Sequence, residues 1–237
     1  MRSIEKEREN VETVTRMEVV AKSTTIAGEA IQAVSPLKAA PLLIDRRGIA
    51  AGPLIESFRL LALNINRMLE GIERRSILVV SGLSGDGRSL TALGLARALR
   101  EISAPVLLLD ADPVGSGIGA AWDSSPNAVV NGSPSRFQLD GQPGLYKYLP
   151  EGGKREQSAF LRDVIDAIDR AEAEGMTTVI DTPACLHSTI AFGLASHAGG
   201  VVYVARPNAG HRPPHQEIRN QLDLLGANVL GVVVNEG

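Results

Sequence analysis

The run Gly82-Leu83-Ser84-Gly85-Asp86-Gly87-Arg88-Ser89 fits the spacing G-x-x-x-x-G-[K/R]-[S/T]. A loop of this kind wraps a polyphosphate. Its glycines permit the backbone turns that aim N–H groups inward, and they let the chain approach the ligand closely. The helix that opens at Arg88, Ser89 and Leu90 adds its own N-terminal N–H groups and the positive end of its dipole. The Ser89 hydroxyl is placed to give an oxygen to Mg²⁺. Arg88 stands where such loops carry lysine. It keeps the charge, but its planar fork replaces a compact ammonium, so phosphate attraction is expected to persist with poorer transition-state geometry.

Three further positions end apolar runs. Asp110 and Asp112 close "PVLLLDAD", and Asp181 closes "MTTVIDTPA". Carboxylates at such places are seldom left without a partner. Beside a phosphate loop, Asp110 and Asp181 are candidates to hold the metal, and Asp110 or Asp112 to accept a proton. For Asp112, capping the turn before Pro113 is the competing reading. Asn235 ends "NVLGVVVN". It fits two roles, hydrogen bonding to an adenine edge or capping the strand end.

Other reactive side chains lack a pattern. His187, His197, His211 and His215 share no metal-ligand spacing with cysteine or carboxylates, and read as surface or helix-cap residues. Asp163, Asp166 and Asp169 recur every third residue, as on a solvated helix face. The single cysteine, Cys185, excludes an internal disulfide, fits a reducing compartment and reads as a small packing residue. No nucleophile-elbow motif supports Ser-His-Asp hydrolysis.

These residues need a scaffold, and the chain supplies one in repeating strand-helix order. Apolar runs at 76–81, 105–112, 176–184, 199–207 and 228–235 read as buried strands. "GLYKYLP", 144–150, reads as a short one. Helical spacing appears over 54–71, with Leu54, Phe58, Leu61, Ile65 and Leu69 on one face and Gly71 at the stop, and again over 89–102, 157–174 and 214–225. Residues 113–143 read as loop-rich and contain Trp122 and Phe137. The expected fold is α/β, a mostly parallel sheet with helices on both faces and ligands beyond the carboxyl ends of the strands.

The 237 residues are 44% hydrophobic and 22% charged, with a formal net charge of -3. That suits a folded domain and gives no overall field for nucleic acid, so no nucleic-acid partner is expected. No apolar run is long enough for a membrane helix, and the charged start "MRSIEKEREN" does not lead into a signal core. Residues 1–53 are expected to form a flexible extension and linker, either a tail or a short partner-binding helix with loose helical spacing over 2–20. Residues 54–237 then form the nucleotide-binding domain.

Taken in order, "ESFRLLALN", "ILVVSGLSGDGRS", "VLLLDADP", "TVIDTPA" and "NVLGVVVN" resemble the bacterial tyrosine kinases of capsule and exopolysaccharide synthesis. These are P-loop NTPases related to the septum-site and partition ATPases. The resemblance covers about residues 54–236. It implies a P-loop NTPase architecture with ATP and Mg²⁺ as cofactors. Gly82 to Ser89 would be the Walker A loop, Asp110 and Asp112 the Walker A′ acids, and Asp181 the Walker B acid. It also implies protein-tyrosine kinase activity, a cytoplasmic location at the inner face of the plasma membrane, and a separate membrane-spanning co-polymerase or activator.

Subunits of that family join through an E-x-x-R-x-x-R helix. Here Glu56 and Arg59 match and Ala62 takes the third place, so a homo-oligomer through this helix is expected with an incomplete motif. No C-terminal tyrosine-rich tail is expected after the last strand, and Tyr146, Tyr148 and Tyr203 all fall in strand-like stretches. The main acceptor tyrosine is therefore expected on another chain. Arg88 and the absent tail favour an alternative, a nucleotide-dependent regulatory module with little phosphoryl transfer. A partition-type ATPase switch is the third reading, disfavoured by the "ESFRLLALN" helix.

Overall fold

The structure, a computed structural model, describes residues 17–21, 44–45, 48–49, 53–102, 105–113, 118, 136–138, 145–148, 156–206 and 213–235. In chain order the elements are β1 (Met17–Ala21), β2 (Ile44–Asp45), β3 (Gly48–Ile49), α1 (Pro53–Met68), β4 (Ser76–Ser81), α2 (Arg88–Ile102), β5 (Val106–Asp110), β6 (Arg136–Gln138) and β7 (Leu145–Tyr148). They continue with α3 (Gln157–Ala173), β8 (Thr177–Asp181), α4 (Ile190–Ala195), β9 (Gly200–Ala205), α5 (Pro213–Leu224) and β10 (Val229–Asn235).

Eight strands form one sheet in the order β1-β10-β9-β4-β8-β5-β7-β6. From β10 to β7 every pairing is parallel, while β1 and β6 close the two edges antiparallel. The central strands β4, β5 and β8 are buried along their whole length and largely apolar because both faces are covered. Along β4, Ile77 and Val79 enter one core with Phe58, Leu61, Ile65, Leu95 and Leu99 of α1 and α2. Leu78 and Val80 enter the other, with Phe160, Val164 and Ile168 of α3 and Leu194 of α4. The two-residue period of a strand thus feeds two separate helical layers.

The helices end where the sequence stops supporting them. After α1 the chain reverses at Gly71, at φ +80°, a left-handed conformation that costs glycine least. Phe58 of α1 packs directly over Gly94 of α2, where there is no side chain: a Cβ there would sit 2.2 Å from the Phe58 ring.

Several expectations change. Residues 17–21, read within a loose helical spacing, form β1 on the edge of the main sheet, Met17 opposite Asn235 and Val19 opposite Val233. The outer edge of β10 offers a ladder of backbone groups to pair, and "MEVVA" carries two β-branched valines. The loop-rich stretch 113–143 contains β6, which includes Phe137 and pairs with β7. The short helix α4 was not anticipated. Trp122 and His211 lie outside the described residues. No helix among the described residues is long and apolar enough to cross a membrane.

Candidate functional site

β4 delivers the loop and α2 receives it, so residues 82–87 turn at the carboxyl edge of the sheet between β8 and β9. Gly85 and Gly87 have φ of +87° and +95°. These two positions require glycine on backbone grounds, and Gly87 does so doubly, because a Cβ there would lie 2.2 Å from Asn235 Nδ2. Ser84 and Gly85 are exposed at the tip, while Gly82 and Asp86 are buried.

The loop is held from inside. The Leu83 N–H donates to Asp86 Oδ2 at 2.9 Å, and Asn235 Nδ2 donates to the Asp86 carbonyl at 2.9 Å. The Cys185 N–H donates to the Ser81 carbonyl at 2.9 Å, and the Leu186 N–H to the Gly82 carbonyl at 3.3 Å. Thr182 Oγ1 donates to the Val79 carbonyl at 2.9 Å. The turn after β8 therefore braces the turn after β4. At the start of α2, Thr91 bonds back to the Gly87 carbonyl through both its N–H and its hydroxyl. Ser89 and Leu90 are half-buried, and Leu90 packs against the α1–α2 core.

Arg88 turns inward. Its NH1 donates to Ser81 Oγ at 2.7 Å and approaches the Leu83 carbonyl at 3.4 Å, while Nε lies 4.0 Å from Asp181 Oδ1.

The acids gather as the strand register dictates. Asp110 and Asp181 are direct partners at the ends of β5 and β8. The Ala111 N–H donates to the Asp181 carbonyl at 2.8 Å, and the Asp112 N–H donates to Asp110 Oδ1 at 3.0 Å. Asp110 and Asp181 are buried and Asp112 is half-buried. Neither carboxylate oxygen of Asp181 is met by a donor in full hydrogen-bonding geometry, although the Ser89 hydroxyl is near enough to favour its ionised form. Burial pushes the Asp181 pKa up to about 7. The neighbouring Ser89 hydroxyl and Arg88 pull it down, and Asp110 and Asp112 push it up. Two buried oxygens without donors, beside a serine hydroxyl, make a hard oxygen set that fits Mg²⁺. No group of three or more His, Cys, Asp or Glu side chains gathers for a metal among the described residues. Phosphate oxygens and water would complete the coordination.

Sequence reasoning missed three parts of this assembly. Ser81, an ordinary strand terminus by pattern, receives Arg88. Thr182, directly after Asp181, ties β8 to β4. His215, read as a surface or cap residue, is half-buried, and its Nδ1 lies 2.6 Å from the Tyr203 hydroxyl beside Gly82. The "DTPA" run was a signal for the second, but nothing local marks the other two. Cys185 is buried, and burial pushes its thiol up to about 11, which fits packing rather than reactivity.

Away from the loop, Arg59 donates from Nε to Glu101 Oε2 at 2.6 Å and from NH1 to Glu56. Ala62, the third position of that helix motif, is fully buried. On α3, Asp166 and Asp169 are exposed and Asp163 is half-buried, with Asp169 paired to Arg74 at 3.1 Å.

No family model matches the chain. It is 26% identical over 197 residues to the succinoglycan biosynthesis transport protein ExoP of Rhizobium meliloti, covering 76% of this chain and 25% of that one. It is 22% identical over 188 residues to the tyrosine-protein kinase CpsD of Streptococcus agalactiae, covering 74% and 81%. The chain thus spans about a quarter of the length of ExoP. The kinase domain of the Escherichia coli tyrosine kinase ETK superposes with a TM-score of 0.66 at 17% identity, over 78% of this chain and 76% of that one. The chain is an α/β protein of P-loop architecture that resembles the bacterial tyrosine kinases in sequence and shares the fold of their kinase domains.

Proposed function

We propose that the chain binds ATP with Mg²⁺ and acts as a bacterial-type protein-tyrosine kinase in capsular or exopolysaccharide synthesis or export. One observation carries the reading. A glycine loop with two left-handed glycines stands at a helix N-terminus, directly beside a buried aspartate whose oxygens no donor meets in full hydrogen-bonding geometry. Backbone N–H groups of residues 82–90 would bind the polyphosphate. Ser89, Asp110 and Asp181 would hold the metal. Asp110 or Asp112 would take the proton of a tyrosine hydroxyl. Bound Mg²⁺ would neutralise phosphate charge, and the rest of catalysis is positioning.

The names of the relatives support the biological setting: one is a succinoglycan transport protein and another a tyrosine-protein kinase. The partner in this reading is a separate membrane-spanning co-polymerase that recruits the chain to the inner face of the membrane and supplies the acceptor tyrosine. The exposed Glu56 and the half-buried Arg59 on α1 would serve self-association.

A second reading, a nucleotide-dependent regulatory module with little phosphoryl transfer, is favoured by the inward Arg88. Incubation with radiolabelled ATP and Mg²⁺, with and without the membrane partner, separates the two. Phosphotyrosine on either chain supports the kinase. Nucleotide binding without phosphotyrosine supports the module.

A further inference from the structure

Arg88, half-buried, and Asp181, buried, are a cation and an anion that approach without joining. Arg88 Nε lies 4.0 Å from Asp181 Oδ1, and the two side chains are 11% and 1% exposed. Arg88 Nε and both Asp181 oxygens lack hydrogen-bond partners. What holds the guanidinium is a socket on the other side, Ser81 Oγ at 2.7 Å and the Leu83 carbonyl at 3.4 Å. An arginine that reached a carboxylate through two parallel hydrogen bonds would occupy both oxygens. Here the charge is balanced at a distance and both oxygens stay available.

A divalent cation on Asp181 changes that balance. It takes over the carboxylate and leaves the guanidinium within a few ångströms of a like charge, in surroundings that screen poorly. The socket offers Arg88 only a neutral hydroxyl and a carbonyl in compensation. A lysine has no planar fork with which to grip Ser81 and face Asp181 together.

We propose that Arg88 is a metal-displaced counter-ion. It balances Asp181 while no divalent cation is bound, and leaves the Ser81–Leu83 socket for the phosphate side of the loop when one binds. One side chain thereby couples metal binding to phosphate contact. This deepens the reading of the site above and rests on Asp181 being a metal ligand.

The test uses the full chain at about pH 8, with Mn²⁺ as probe. Free Mn²⁺ is measured by electron paramagnetic resonance for the wild type, Arg88→Gln and Asp181→Asn. Arg88→Gln removes the competing charge, so it is expected to bind Mn²⁺ at least about tenfold tighter than the wild type. Asp181→Asn is expected to lose binding. A merely structural Arg88 predicts the opposite sign for Arg88→Gln, because a loosened loop binds metal less well. Equal or weaker binding in folded Arg88→Gln overturns the proposal while leaving Asp181 as ligand. Mn²⁺ binding in none of the three, or undiminished binding in Asp181→Asn, overturns the metal reading itself and the proposal with it.

A second measurement needs no variant. Wild-type chain is treated with p-hydroxyphenylglyoxal, and modification of Arg88 is followed by mass spectrometry against Arg219, whose side chain is 70% exposed. Saturating Mn²⁺ is expected to speed modification of Arg88 severalfold and leave Arg219 unchanged. An unchanged or slower rate at Arg88 overturns the proposal.

Discussion

Asn235, the last residue of β10, holds the glycine loop from behind: its amide donates to the Asp86 carbonyl at 2.9 Å and fills the space beside Gly87. A strand end on one side of the sheet thereby fixes a loop that starts two strands away.

Removing that contact should loosen the loop without dissolving the sheet. Asn235→Ala leaves a buried carbonyl without its donor, at a cost of about 1–3 kcal/mol. Urea unfolding should show that loss, and nucleotide affinity should fall with it. Gly87→Ala should be worse for binding, since its Cβ meets Asn235 and its backbone is left-handed. Unaltered unfolding and affinity in Asn235→Ala would show that the bond is idle.

The contact of α1 with α2 gives a test remote from the site. Gly94→Ala places a methyl 2.2 Å from Phe58 Cε2 in a filled core. Overpacking of this kind costs about 1–3 kcal/mol. Thermal melting should fall accordingly, and Phe58→Leu should recover part of the loss in the double variant. Additive losses would mean that Phe58 does not set the spacing.

Asp181 should make the metal-free chain less stable as pH rises. Burial raises its folded pKa to about 7, against an unfolded value of about 3.9. The folded state therefore holds the proton more tightly. The stability that this proton contributes is complete below about pH 4 and is lost progressively as pH rises to about 7. The span corresponds to roughly 4 kcal/mol at most. Asp181→Asn, melted in EDTA, should match the wild type near pH 4 and exceed it near pH 8. A constant difference across pH would rule out burial of an ionised Asp181 as the cause.

Tyr203 should not be a phosphoacceptor. It is buried, its hydroxyl lies 2.6 Å from His215 Nδ1, and burial holds its pKa above the usual tyrosine value. After incubation with ATP and Mg²⁺, mass spectrometry should find no phosphate on Tyr203. Stoichiometric phosphate there would contradict both the burial and an acceptor on another chain. Tyr203→Phe should cost about 1 kcal/mol through the lost hydrogen bond.

The strands and the loop were legible because their signals are local. A run such as "SILVVS" followed by spaced glycines and a helical pattern specifies strand, turn and helix in one window. The convergence of Asp110 and Asp181 followed from the rule that acids closing parallel strands meet at one edge, and the register pairs them directly. What sequence could not show depends on partners far along the chain. Arg88 had the right position and charge, but its inward direction is set by Ser81 and Asp181. Asn235 left two roles open, and the bond to Asp86 spans 149 positions. β1 lies inside a loose helical spacing over 2–20, and its strand form depends on pairing with the distant edge of β10.

On the proposed function, the loop from Gly82 to Ser89 binds nucleotide with a metal held by Asp181. Calorimetric titration of the full chain with ATP, in Mg²⁺ and then in EDTA, tests it most directly. Saturable binding at least about tenfold tighter with Mg²⁺ is expected, with loss of that advantage in Asp181→Asn and metal-free binding retained. No binding heat at millimolar ATP and Mg²⁺, or equal affinity with and without metal, would contradict it.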